Sequence, residues 1–228
     1  MVRDNILPLT AGIAVGFLAL APAAHAAVTV TSASVGGSPT AGANLANLND
    51  LTLGTGGGTT GGLSIGLSGG AEAVQGSGFG YTAPMLASGP DSTTFLSTVL
   101  GTITVNLPQA TTYFGLSWGS IDTFNILSFY DHGTLIGRLT GTDLPTHDFG
   151  DIGLNGTMYV NLMSSVPFDS VVMASNGYSF EVDDLAYGAG GGSGSDPVPE
   201  PWSLALLGIG ALGAGFLRRR IAATAAAA

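Results

Sequence analysis

The sequence predicts an all-β body, an antiparallel two-sheet β-sandwich of jelly-roll type, carried between two terminal address segments. Three observations support this. Apolar and polar residues alternate over short runs, the period of a half-buried strand. Gly, Asn and Asp turns separate the runs, and no amphipathic helical stripe intervenes. The first and last thirty residues have a different texture, apolar and almost free of acids.

Val28-Thr29-Val30-Thr31 alternates as a first strand. Residues 36–90 are rich in Gly, Ser and Thr and read as loops joining short strands such as 63–67. Ile103, Val105 and Leu107 alternate in a strand that Pro108 ends; Phe114, Leu116 and Trp118 alternate in the next. Residues 126–130 and 134–140 flank the turn Asp131-His132-Gly133 and form a hairpin. Met158, Val160 and Leu162 mark another strand, and 168–174 and 178–182 form a final pair. Tyr178, Phe180 and Val182 share one parity, whereas Leu185 and Tyr187 take the other. The slip falls at Asp183-Asp184 and predicts a β-bulge, which re-aims side chains.

At the N-terminus, Arg3 precedes an apolar run over 6–20, then Pro22 and Ala24-His25-Ala26. A basic start, a short apolar stretch and an Ala-x-Ala site predict a signal peptide, residues 1–26, cut after Ala26 by signal peptidase. At the C-terminus, residues 188–197 form a Gly/Ser-rich tether that keeps the body clear of the bilayer. Val198-Pro199-Glu200-Pro201 follows, then the uncharged segment 203–217, then Arg218, Arg219 and Arg220, and an Ala-rich tail over 221–228. The prolines withhold backbone donors and hold Glu200 on an extended chain. The segment predicts a membrane helix with a basic stop at its cytoplasmic end. At about 1.5 Å per residue it reaches about 22 Å, short of a ~30 Å hydrocarbon core, and four glycines weaken it. A marginal span suits a segment held briefly and then cut; a plain anchor is the alternative.

This tripartite order resembles the PEP-CTERM sorting signal, which the membrane protease-transpeptidase exosortase reads. The resemblance implies processing near Val198, Pro199, Glu200 and Pro201, in the envelope of a Gram-negative bacterium. The stretch 101–187, with Trp118-Gly119-Ser120-x-Asp122 and Phe180-Glu181-x-Asp183-Asp184, also resembles a group of exosortase-dependent surface proteins. That likeness implies a surface or matrix role and no chemistry.

The body, 27–197, carries thirteen acids against Arg138 as its one basic residue beside the histidines. Such a polyanion repels a phosphate backbone, so nucleic acid is not an expected partner. Divalent cations and neutral or cationic polymers are compatible partners. With no Cys, the chain has no disulfide or thiolate site, and its stability comes from packing.

Candidate sites follow from this composition. Asp183 and Asp184 at the bulge are a candidate structural calcium site, because calcium takes carboxylate and loop oxygens. His132 and His147 each neighbour an Asp and are a weaker zinc candidate. Tyr81, Tyr113, Phe124, Tyr130 and Tyr187 are candidates for stacking sugars; Trp118, in parity with Phe114 and Leu116, reads as core. Gly115-Leu116-Ser117-Trp118-Gly119 fits the nucleophile elbow, which requires a strand, a sharp turn and a helix. The residues after it read as turn and strand, so a secreted serine hydrolase is the distant alternative and no catalytic residue is expected. The sequence therefore points to an exported cell-surface or exopolysaccharide-matrix protein, with a carbohydrate-binding module as the alternative.

Overall fold

A computed structural model describes residues 28–145 and 147–188. The expected signal peptide, residues 189–197 of the expected tether, the sorting segment and the expected helix over 203–217 lie outside the described residues; Gly188, read as the start of the tether, instead ends the last strand. Among the described residues, no helix is long and apolar enough to cross a membrane.

The body is all-β. The first strands are β1 (Val28–Ser34), β2 (Asn44–Ala46), β3 (Gly58–Thr60), β4 (Leu63–Ser68) and β5 (Ala71–Gln75). The small pair β6 (Met85–Leu86) and β7 (Gly89–Pro90) precedes β8 (Thr94–Thr98). The rest comprises β9 (Thr102–Gly119), β10 (Asn125–Asp131), β11 (Thr134–Thr140), β12 (Met158–Ser175) and β13 (Phe180–Gly188). Every pairing is antiparallel.

Eleven strands belong to one hydrogen-bonded sheet in which β9 and β12, 18 residues each, run through two lobes. Residues 102–106 of β9 pair with β4 and with residues 170–174 of β12. Residues 113–119 pair with β13 and with residues 158–163 of β12. The hairpin β10–β11 extends the first lobe through β12, and β8 and β5 extend the second through β13. One core cluster draws Val105, Leu127 and Met173 from the first lobe and Leu96, Trp118 and Phe180 from the second. Phe129 meets Phe114 and Phe168 edge-on, with centroids 6.2 and 5.0 Å apart. The expected two-sheet sandwich is not what the hydrogen bonding gives: eleven strands form one continuous sheet and β6–β7 a separate pair.

Pro108 does not end a strand. The ladder between β9 and β12 breaks its register between Met163 and Ser170, opposite this stretch, and residues 107–110 face no register partner there. A missing N–H is harmless at such a break, so one strand replaces the expected two on each side. The Gly/Ser/Thr-rich stretch is also better ordered than its composition suggests. It contributes β2 to β7 and buries Leu48, Leu51, Leu63, Ile65, Ala71 and Ala73. Its N-terminal side is pinned by Tyr113, whose hydroxyl accepts from Thr40 N–H at 2.9 Å and donates to Asn161 Oδ1 at 2.6 Å. The Asn161 amide in turn donates to Ser32 Oγ and the Ser38 carbonyl, both at 3.0 Å. Gly115 leaves room for this network: a Cβ there would stand 2.5 Å from the Tyr113 hydroxyl and 2.8 Å from that of Tyr159.

The hairpin turn forms as the sequence predicts. His132 and Gly133 both take positive φ, 48° and 78°, the two-residue turn that suits the twist of paired strands.

Candidate functional site

The bulge lies where the parity slip places it. The register of β13 on β9 shifts between Asp183 and Ala186, and Asp184 takes a φ of 47°. This turns Asp183 inward and leaves Asp184 exposed. Asp183 therefore finds its partner elsewhere: its carboxyl hydrogen-bonds the buried Asp91. Thr93 Oγ1 sits 2.6 Å from Asp91 Oδ1 and 3.2 Å from Asp183 Oδ2. Burial and the Asp91 hydrogen bond push Asp183 up to about 9, so it is the proton donor of the pair.

A polar cleft of about 370 Å³ opens near the other end of β13. Tyr81 and Tyr178 line it with Ser120, Asp122, Thr82 and Ser179. Phe79, between the lining residues Gly78 and Gly80, is fully exposed, and Tyr178 is 79% exposed. Tyr81 is braced edge-on by the buried Phe95, with centroids 6.2 Å apart. Behind the lining stands Glu181, whose side chain is wholly buried. Thr82 N–H donates to its Oε1 at 3.0 Å, the Ser179 hydroxyl donates to the same oxygen, and Ser120 faces the carboxyl. Oε2 has no hydrogen-bond partner. Burial raises the pKa of Glu181 above the usual carboxylate range, against these hydrogen bonds. The pKa of Asp122 is also raised by burial, while the Thr123 backbone and His147 act the other way.

Asn125 fixes the cleft. Its Oδ1 accepts from Asp122 N–H at 2.8 Å and from the Trp118 indole, and its amide donates to the Ser179 carbonyl at 3.4 Å. One buried side chain thus ties both sides of the cleft to the core.

A larger cleft of about 420 Å³ lies beside the bulge, lined among others by Leu45, Asn47, Asp50, Tyr159 and Asp184. It has one half-hidden aromatic, since the Tyr159 ring is buried and its hydroxyl is committed to the Asp184 carbonyl at 3.0 Å. The smaller cleft is the better candidate, because it combines the exposed Tyr178 ring and the half-buried Tyr81 ring with an unsatisfied carboxyl behind its lining.

The sequence candidates fare differently. Tyr113 is fully buried and Tyr187 nearly so, with its hydroxyl on the Gly61 carbonyl at 2.8 Å; neither presents a face to a sugar. Phe124 and Tyr130 are half-buried and lie outside the cleft lining. Tyr178 does not share the burial of Phe180 and Val182, because β13 begins only at Phe180. Trp118 is core, stacked on Phe180 at 4.6 Å. Among the described residues, the group of three His, Asp or Glu ligand atoms lying within 4.8 Å of one another is Asp131, His132 and Asp169. His132 Nδ1 is 2.6 Å from Asp131 Oδ1 and 3.7 Å from Asp169 Oδ2, an exposed ion-pair geometry. His147 is not part of it and packs on Phe149. Asp143 and Asp151 serve turns, accepting from Thr140 and Gly153 N–H groups. Ser117 sits within β9, buried and opposite Tyr159 and Asp183, with no helix following; this is not an elbow. Ala24, Ala26, Val198, Pro199, Glu200, Pro201, Arg218, Arg219 and Arg220 lie outside the described residues.

Fold and terminus together define a class: an antiparallel all-β body joined to a C-terminal sorting segment. The segment is matched at residues 197–220 by the family model of the PEP-CTERM protein-sorting motif, so the chain carries that motif. The motif implies processing by exosortase. No curated protein matches the chain. Among solved structures, it is similar to a point mutant of CBM29-2, a family 29 carbohydrate-binding module complexed with mannohexaose. The TM-score is 0.33 and the identity 10%, over 72% of this chain and 92% of that one. A second mutant of a family 29 module gives 0.29 and 11%, over 76% and 99%. At these values the likeness carries no argument about this chain.

Proposed function

We propose that this chain is an exported protein of a Gram-negative envelope, a cargo delivered to the cell surface or exopolysaccharide matrix. In this reading signal peptidase cuts after Ala26, the segment 203–217 holds the precursor in the membrane, and exosortase acts near Val198 to Pro201. The sorting motif at 197–220 is the observation that carries it. The test is maturation in cells: Glu200→Ala, or deletion of Arg218, Arg219 and Arg220, should leave an uncut precursor at the membrane. Normal processing of both variants would count against the assignment.

A second reading concerns the work of the body at its destination. A polysaccharide-binding role is favoured by the cleft between the half-buried Tyr81 and the exposed Tyr178, whose rings flank hydroxyls and the Asp122 carboxyl. Pyranose rings stack on aromatic faces while their hydroxyls take hydrogen bonds from a few fixed polar groups. Retention on exopolysaccharide should be lost on Tyr178→Ala and kept on Tyr130→Ala. The structural-matrix reading predicts no such loss.

A further inference from the structure

We infer that the Tyr81–Tyr178 cleft is a subsite for a sugar carrying a free amine, its ring against the aromatic side chains and its ammonium toward Asp122 and Glu181. The inference rests on the polysaccharide-binding reading above and adds the chemical class of the sugar.

The charge balance of the site carries it. Asp122 lines the cleft, and Glu181 stands behind three of its lining residues, Thr82, Ser120 and Ser179. No basic side chain acts on Glu181, and Oε2 is both buried and unpartnered. A buried carboxyl in that state is costly unless it stays protonated or gains a cation. The one base that acts on Asp122 is His147. An ammonium in the cleft would favour the ionised form of both acids, and Coulomb attraction acts across the lining residues Thr82, Ser120 and Ser179 without direct contact.

Other ligands fit less well. A uronate would bring a third carboxylate to two existing ones. A neutral sugar satisfies hydroxyls but brings Glu181 no cation. A metal ion needs converging ligands, and Asp122 and Glu181 are not among the three-ligand groups of the described residues. The exposed Tyr178 ring adds to the case, because an aromatic face attracts ammonium groups as well as sugar rings.

Titration calorimetry on the full chain in detergent micelles tests this with three probes: a β-1,4-linked glucosamine hexamer, its fully N-acetylated counterpart and a galacturonate hexamer. The glucosamine hexamer should bind at least tenfold more tightly than the N-acetylated one, and the galacturonate should not bind. Asp122→Asn and Glu181→Gln should each remove the preference, and Tyr178→Ala should weaken both glucosamine-based probes about tenfold. Thermal melts check that each variant is folded, and Asp122→Asn tests the site if Glu181→Gln is not. Because the body is a polyanion, Asp50→Asn at the larger cleft is the control and should leave the preference intact. A loss there equal to that of Asp122→Asn would mean general charge attraction and would overturn the inference. Equal affinity for the two glucosamine-based probes, or tighter binding of the uronate, would overturn it while leaving polysaccharide binding in place. Failure of the wild-type chain to bind any of the three would remove both readings.

Discussion

The Trp118 indole Nε1 donates to Asn125 Oδ1 at 3.3 Å, and both side chains are fully buried. The core therefore reaches the cleft through one amide, since the same Asn125 also holds the Asp122 N–H and the Ser179 carbonyl. Asn125→Ala strands an indole N–H, a backbone N–H and a carbonyl at once. Each unsatisfied buried group costs about 1–3 kcal/mol. Chemical denaturation should show a loss of about 3 kcal/mol or more, and folded Asn125→Ala should bind polysaccharide more weakly. A variant of unchanged stability would show that the amide does not brace the cleft.

Tyr113 provides the contrasting case. It was a sugar-stacking candidate by sequence, yet its ring is inside and its hydroxyl joins Thr40 to Asn161. Tyr113→Phe should cost about 1–3 kcal/mol and loosen the 32–40 segment to amide hydrogen exchange. Polysaccharide binding by the folded variant should not change. Weakened binding without lost stability would place Tyr113 back in a binding role.

Asp183 makes stability depend on pH. Its folded value of about 9 lies above the unfolded value near 4. Between these limits the folded state keeps a proton that the unfolded state has released, so this group lowers stability as pH rises through that window. Asp183→Asn imitates the protonated form and should raise Tm at pH 8 by several degrees while flattening its pH slope. An unchanged slope would show that the proton is not held there.

The calcium candidate at Asp183 and Asp184 makes a competing demand on the same carboxyl. A bound cation would replace the proton shared with Asp91, so millimolar calcium at pH 8 should raise Tm relative to a chelator. The rise should vanish in Asp183→Asn. Equal melting in calcium and chelator would remove the candidate.

His132 titrates in the hairpin turn. Its hydrogen bond to Asp131, then the charges of Asp131 and Asp169, raise its pKa above the ordinary value. A raised histidine stabilises the folded state below its unfolded pKa, and the benefit disappears as pH climbs through the folded one. Proton NMR should place its midpoint above 6.5. Asp131→Asn should lower that midpoint more than Asp169→Asn, and the reverse order would assign the main partner wrongly.

Strand positions were legible because alternation is local. Ile103, Val105, Phe114 and Leu116 read correctly from their neighbours alone, as did the turn at His132-Gly133. The join through Pro108 was not legible, because a proline's cost depends on whether a partner strand is asking for its N–H. Phe180 and Val182 read as core by parity, but the same alternation set Glu181 outward. It is buried because the chain around Thr82 covers it, a segment about a hundred residues away in sequence. Nor could parity show that Tyr178, two residues before Phe180, lies outside the strand.

By itself, the sequence determined the all-β class, the parity break at Asp183-Asp184 and the sorting motif over 197–220. Each is written in adjacent residues and needs no distant partner. Tertiary structure alone decided that Asp183 meets Asp91, that Tyr113 braces the core and that Glu181 lies behind exposed Tyr178. Burial and charge pairing are properties of surfaces brought together from distant parts of the chain, and only the folded chain brings these residues together.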